Sequence, residues 1–238
     1  MKVKKRQGLD TKERLLEAAC EVFSKKGYRA ATTADICRRA RANVAAVNYH
    51  FGNKQKLYVE AWRGAFGRSL EAHPADGGVS REAPAEARLY GRILGIVQRF
   101  ADPENHEFAM LHKEMANPTG LLGEVMRKSI EPLRQELRSI VRELLGEGAR
   151  EEQVRLCQMS IRAQCFDMAF QRQHQKMLSK AGIEDGPCDA KPGVDEIAEH
   201  ITRFSLAGIR ATRREIEGGK DGERTRDIKK TGAMISSH

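Results

Sequence analysis

The twenty residues Thr32 to Phe51, TTADICRRARANVAAVNYHF, constrain the fold more than any other stretch of the chain. Thr32 and Thr33 are good helix N-cap residues, and Asp35 at the third position complements the positive end of a helix over Thr33 to Ala40. Ile36 and Cys37 turn inward on it, while Arg38, Arg39 and Arg41 stay in solvent. A short turn then leads to Asn43, a natural cap for a helix over Val44 to Phe51. Val47 and Phe51 are spaced to face inward, which leaves Ala45, Asn48 and Tyr49 outward. Helices this short hold only by packing on neighbours, so the flanking sequence has to supply a frame.

That frame is legible on both sides. Asp10 followed by Glu13 has capping-box spacing, and the helix it opens carries Leu15, Leu16, Ala19, Val22 and Phe23 at helical intervals, with Gly27 placed to end it. After Phe51, Gly52 breaks the helix. Asn53 caps a fourth one that carries Lys54, Leu57, Tyr58, Ala61, Trp62 and Phe66. Residues 73–84 hold Pro and Gly and read as a loop.

Beyond the loop the chain reads as helical almost throughout. Residues 88–101 stop at Asp102-Pro103, 107–116 stop at Asn117-Pro118, and a helix after Pro118, with an interruption expected near Pro132, reaches Gly146. Two long helices follow, over 151–180 and 193–217. The first carries Val154, Cys157, Ile161, Cys165 and Met168 on one stripe and Met159, Ala163, Phe166 and Phe170 on a neighbouring one. The second carries Val194, Ile197, Ile201, Phe204, Gly208 and Ala211. Apolar residues over two stripes need two partners, one inside the domain and one outside it, which is the pattern of a homodimer through the last two long helices; a plain core is the competing explanation. The chain is thus all-α, with a basic arm and helix-turn-helix unit over 1–66, a larger helical domain over 67–217, and a polar, Gly-bearing stretch, 218–238, read as a disordered tail.

Charge is distributed unevenly. Residues 1–62 hold 14 Lys+Arg against 6 Asp+Glu, a net of +8, and the rest of the chain holds 28 against 27. A basic first quarter on a nearly neutral body points to a polyanion engaged by that quarter alone. Cys20, Cys37, Cys157, Cys165 and Cys188 form no CxxC and have no His at metal-ligand spacing, which reads as reduced thiols of a cytoplasmic protein. No apolar run approaches a membrane span, and no secretory signal pattern follows the basic start.

A helix that enters the DNA major groove needs small residues at the close approach and donors or acceptors that reach base edges. Ala45 and Ala46 can supply closeness and methyl contacts, Asn48 has the amide to pair with adenine, and Tyr49 and His50 can reach phosphates. Thr33 and Lys54 add a hydroxyl and an ammonium beside helix N-termini that already favour phosphate.

From Thr11 to Phe66 the sequence resembles the DNA-binding domain of the TetR family of bacterial transcriptional regulators. The resemblance is carried by Ala18-Ala19, Phe23, Gly27-Tyr28, Ala31-Thr32-Thr33, Asp35-Ile36, Ala40, Asn43 through Phe51, and Lys54 with Leu57-Tyr58. It implies an all-helical homodimer, with an N-terminal three-helix DNA-binding domain and a larger domain that binds an effector and dimerises, usually through its last two helices. It further implies that Thr33, Asn43, Val44, Ala45, Asn48, Tyr49, His50 and Lys54 stand at DNA-contacting positions. HKEMANPT at 112–119 and SIRAQC at 160–165 are similar to the CecR-like subgroup. Two positions depart from the family pattern. Arg41 stands where the turn usually has Gly, at a cost on the order of 1 kcal/mol in a left-handed turn, which leaves open whether the turn keeps its usual shape. Asn48 stands where the family usually has tyrosine and Tyr49 follows, which leaves base and phosphate roles open between the two.

Phe100, Met110, His112, Met115, Phe166 and Phe170 are candidates for an apolar effector pocket, with His112 or Glu114 to orient a small apolar or amphipathic ligand; plain core is the competing explanation for such residues. His106, Glu107 and His112 lack metal-site spacing, and no catalytic constellation, phosphate loop or cofactor motif stands out. The expected activity is therefore that of a ligand-responsive regulator, most naturally a repressor that binds a near-palindromic double-stranded operator as a dimer. The alternative is a DNA-bound helical scaffold that recruits a protein partner without a small ligand.

Overall fold

A computed structural model describes residues 10–180 and 192–235, with side chains described over 10–167 and 192–218. Among the described residues there are nine helices and no strand: α1 (Thr11–Ala30), α2 (Thr33–Ala40), α3 (Val44–Phe51), α4 (Lys54–Ala72), α5 (Ala85–Ala101), α6 (His106–Ala116), α7 (Gly123–Leu145), α8 (Glu151–Lys180) and α9 (Val194–Ile235). They fall into two units, Met1–Pro74 with Asp102–Pro132, and Ala75–Ala101 with Leu133–His238.

In the first unit, α1 is the central post. Its stripe of Leu15, Ala19, Phe23 and their neighbours meets Ile36 of α2, Val47 of α3, and Leu57, Tyr58 and Trp62 of α4, all buried. Gly27 has φ 74°, which ends the regular helix as expected, and one further turn closes with the Ala31 N–H on the Gly27 carbonyl at 3.2 Å. Helix α6 lies against α1 and α4 and buries Met110 completely. By its contacts the segment 102–132 groups with this unit. Periodicity over 107–116 marks an apolar face; it does not say which core the face enters.

The second unit gathers α5, the part of α7 after Pro132, α8 and α9 around Leu89, Ile93, Val97, Leu137, Val141, Val154, Ile161, Cys165, Ala198, Ile201 and Ile209. Arg92 is buried in it, and its guanidinium donates to Glu136 at 2.9 Å and to the Leu133 carbonyl at 2.7 Å, joining α5 to α7. Gly91 and Gly77 permit a close backbone crossing, because a Cβ on Gly91 would stand 2.1 Å from the Asp76 carbonyl oxygen. The stripes of α8 and α9 separate as two faces. Cys165, Ile161 and Val154 are inside, while Leu156, Met159 and Phe204 are exposed large hydrophobic residues.

Two expectations need correction. Helix α7 runs unbroken through Pro132, since losing one backbone donor inside a well-packed helix does not oblige a break. Helix α9 continues from Glu217 to Ile235 where a disordered tail was expected. Residues 236–238, the last of that expected tail, and Cys188 lie outside the described residues.

Candidate nucleic-acid interface

Local hydrogen bonds set the ends of the helix pair. Thr32 Oγ1 accepts from the Asp35 N–H at 3.0 Å, and Asp35 Oδ2 accepts from the Thr32 N–H at 3.3 Å, which completes a capping box on α2. Asp35 also receives the Lys26 ammonium at 2.8 Å, and these donors, Lys26 foremost, hold its carboxyl down at about 2. Arg39 pairs with Glu21, tying α2 to α1. Asn43 caps α3 through its side chain, which accepts from the Ala45 N–H at 3.0 Å.

The turn between the helices keeps its left-handed geometry. Arg41 sits at φ 51°, ψ 48°, and is the one non-glycine residue with positive φ among the described residues. The Ala42 N–H reaches the Cys37 carbonyl at 3.0 Å and closes the turn. The arginine therefore does not reshape the turn. Three-residue closure leaves little freedom here, so Arg41 takes the strain in its own backbone.

On α3, Val47 and Phe51 are buried, Ala46 and His50 are half-buried, and Val44, Ala45, Asn48 and Tyr49 are exposed. Tyr49 is 85% exposed, an extreme for an aromatic residue, with its ring edge-on to His50 at 4.9 Å. Asn53 then caps α4 by accepting from the Lys56 N–H at 2.9 Å. Lys54, the first residue of α4, is half-buried; desolvation lowers its pKa, and its ammonium lies 4.4 Å from the centroid of the Tyr28 ring. Thr33, half-buried at the first position of α2, and Asn43, exposed before α3, complete the predicted set. All eight residues thus lie within one unit, on or beside three consecutive helix N-termini and the outer face of α3.

Spacing gave no sign of Tyr28 as the platform under Lys54, because the two lie on different helices. The effector candidates separate in the structure. Phe100 and Phe166 are together in the second unit, ring centroids 5.0 Å apart. Met110, His112 and Met115 are on α6 in the first unit, where Met110 is fully buried in the core and Met115 is 58% exposed. The side chain of Phe170 lies outside the described residues. Glu114, read from sequence as a ligand-orienting group, instead accepts from Tyr58, Thr119 and Gly120. Among the described residues no cluster of His, Cys, Asp and Glu could hold a metal ion, and no helix is long and apolar enough to cross a membrane.

Comparison with known proteins agrees with this geometry. Residues 15–61 match the bacterial regulatory proteins of the tetR family, and residues 85–209 match the C-terminal domain of the HTH-type transcriptional dual regulator CecR. The uncharacterized HTH-type transcriptional regulator YvkB of Bacillus subtilis strain 168 is 47% identical over 86 residues, a match covering 36% of this chain and 41% of YvkB. CecR of Shigella flexneri is 26% identical over 155 residues, covering 61% of this chain and 69% of CecR. A crystal structure from Pseudomonas aeruginosa PAO1, assigned as a transcriptional regulator, shares the fold with a TM-score of 0.64 at 20% identity, over 88% of this chain and 97% of that one. With its helix-turn-helix unit and its larger helical region both matched, the chain belongs to the TetR family of bacterial transcriptional regulators, DNA-binding proteins rather than enzymes, and has a C-terminal domain of the CecR type.

Proposed function

We propose that the protein is a homodimeric, ligand-responsive repressor that binds a near-palindromic operator and releases it when a small apolar or amphipathic effector binds. The observation that carries this reading is the exposed outer face of α3, with Val44, Ala45, Asn48 and Tyr49 unburied between the Thr33 and Lys54 helix N-termini. In this reading Ala45 and Val44 make the close approach, Asn48 and Tyr49 divide base and phosphate contacts, and Thr33, Asn43, His50 and Lys54 hold phosphates. The exposed Leu156, Met159 and Phe204 on α8 and α9 support dimerisation through the last two helices, which would set two α3 helices on successive half-sites. The Phe100–Phe166 ring pair is the favoured wall of the effector site. Release is a population shift, limited by the difference in effector affinity between the DNA-bound and released conformations.

The test is selection of bound fragments from genomic DNA, followed by titration of the recovered fragment with the full chain. Tyr49→Ala and Lys54→Ala should each weaken binding. Because Tyr49 is 85% exposed, Tyr49→Ala should change stability by no more than about 0.5 kcal/mol. Undiminished, salt-dependent binding by both variants would reject the assignment of this face.

A further inference from the structure

The Glu114 carboxylate is saturated by donors from two segments of the first unit. Its Oε2 accepts from the Tyr58 hydroxyl of α4 at 3.0 Å, and its Oε1 accepts from the Thr119 N–H at 2.9 Å, the Thr119 hydroxyl at 2.8 Å and the Gly120 N–H at 3.1 Å. Thr119 Oγ1 in turn accepts from the Leu121 N–H at 3.1 Å, so the segment after α6 is wrapped around this one side chain. Arg29, at the end of α1, adds a bond to the Pro118 carbonyl at 3.4 Å. Glu114 is thereby fixed in place, and it fixes Tyr58.

Tyr58 is 1% exposed, and burial together with the Glu114 charge keeps its hydroxyl protonated well beyond the ordinary range. It can therefore only donate to the carboxylate. Its ring packs against Phe23 at 4.8 Å and Tyr28 at 5.0 Å. Tyr28 is the ring beneath the Lys54 ammonium. Lys54 and Tyr58 are four residues apart on α4, one above the other on a single face. Anchoring the Tyr58 hydroxyl therefore sets both the rotation of the first two turns of α4 and the position of the platform on which Lys54 rests.

We propose that Glu114 is a positioning residue for DNA binding, acting through Tyr58 and Tyr28 to hold the Lys54 ammonium at the N-terminus of α4. This rests on the reading of Lys54 as a phosphate contact. Glu114 touches no DNA, carries the wrong charge to attract it, and still raises affinity. It does so by removing the alternative settings of α4 and of the lysine side chain before the duplex arrives.

The test uses the full chain and a labelled duplex of random sequence, because phosphate contacts dominate non-specific binding and no operator is then needed. Each phosphate neutralised steepens log K against log salt by about 0.9, so Lys54→Ala should flatten that slope by about 0.9 and weaken binding about eightfold at 0.1 M salt. Glu114→Gln keeps the shape but puts an amide donor where an acceptor oxygen stood; Tyr58→Phe removes only the hydroxyl. Each should weaken binding by about threefold to eightfold and flatten the slope in the wild-type background, and change it by less than about 1.5-fold in the Lys54→Ala background. Equal losses in both backgrounds, or a lower unfolding temperature with an unchanged salt slope, would make Glu114 a structural brace and overturn the proposal. An unchanged slope in Lys54→Ala would instead remove the phosphate reading of Lys54, and the proposal with it. Tyr58→Phe decides the matter alone if Glu114→Gln does not fold.

Discussion

Replacing Arg41 by glycine should stabilise the protein, although it deletes a whole side chain from the DNA-reading unit. Arg41 holds φ 51° and ψ 48°, a conformation in which an L-residue's Cβ crowds the following carbonyl at a cost of about 1–2 kcal/mol. Glycine removes that cost. It also gives the unfolded chain more freedom, which subtracts about 0.4–1 kcal/mol. The side chain itself makes no hydrogen bond or ion pair among the described residues, so little else is lost. The net expectation is a gain of about 0.5–1 kcal/mol, or about 1–4 °C in melting temperature for a chain of this size. Urea unfolding of the full chain, with Arg41→Ala and Arg41→Asn beside Arg41→Gly, separates backbone from side chain. Alanine keeps the Cβ and should be neutral, whereas asparagine tolerates the left-handed region and should fall between the two. A gain in Arg41→Ala equal to that in Arg41→Gly would mean that relieved charge crowding is the cause and that the turn carries no backbone strain.

Two glycines should respond oppositely to alanine. In Gly91→Ala the new Cβ meets the Asp76 carbonyl at 2.1 Å and Val79 Cγ2 at 2.8 Å, so a loss of about 1–3 kcal/mol is expected, while Gly67→Ala in α4 meets nothing within 4 Å and should gain about 0.5–1 kcal/mol. Thermal melts of the two variants that moved in the same direction would refute the packing of α5 on the preceding loop. His106 gives a pH dependence. Burial, with Arg68 adding repulsion, pushes its pKa below the ordinary 6.5, so the unfolded chain binds the proton first and stability falls as pH drops below about 6.5. The urea midpoint should decline from pH 7.5 toward pH 5 in wild type and decline less in His106→Gln; identical declines would show that another group titrates. Phe204→Glu should shift the chain toward monomer in sedimentation equilibrium. Burying a phenylalanine contributes about 1.5–3 kcal/mol, and a two-fold interface counts it twice, so dimer dissociation should rise about a hundredfold or more; an unaltered association would place the interface elsewhere.

The bounds of α2 and α3 were readable from sequence because their determinants lie within a few residues of one another. Thr32, Asn43 and Asn53 each bond to an N–H two or three residues ahead, and Gly52 ends α3 with φ 81°. Inward and outward faces followed from the same local periodicity. What escaped was partner choice across the chain. Glu114 and Tyr58 are 56 positions apart, and nothing in either neighbourhood encodes the match. The same holds for α6, whose apolar face enters the core of the first unit, so that Met110 became core and Met115 an exposed residue. Periodicity also gave one stripe on α9 where the structure has Ile201 inside and Phe204 outside, since residues three apart are about 60° from alignment on a helix of 3.6 residues per turn.

The same angular arithmetic bears on the tyrosine displaced by one position. A shift of one residue turns a side chain about 100° around the helix, so Tyr49 does not approach a duplex from the side that a tyrosine at position 48 would. Ala45 and Tyr49 lie four apart and share one edge of the α3 face; Val44 and Asn48 share the adjoining edge, and all four are exposed. His50, half-buried with its ring against that of Tyr49, narrows the rotamers open to the tyrosine on its own edge. Each edge therefore pairs one small or branched apolar residue with one polar-tipped residue a turn further on. The exposed polar tips are then an amide on one edge and a phenol on the other. An amide can form two bonds to one adenine edge, whereas a phenol on a long rigid ring reaches outward to a phosphate. In the proposed complex this favours Asn48 for base readout and Tyr49 for the backbone, so that the displaced tyrosine would change which edge of α3 faces the phosphates while the base-reading edge would stay with the smaller side chains.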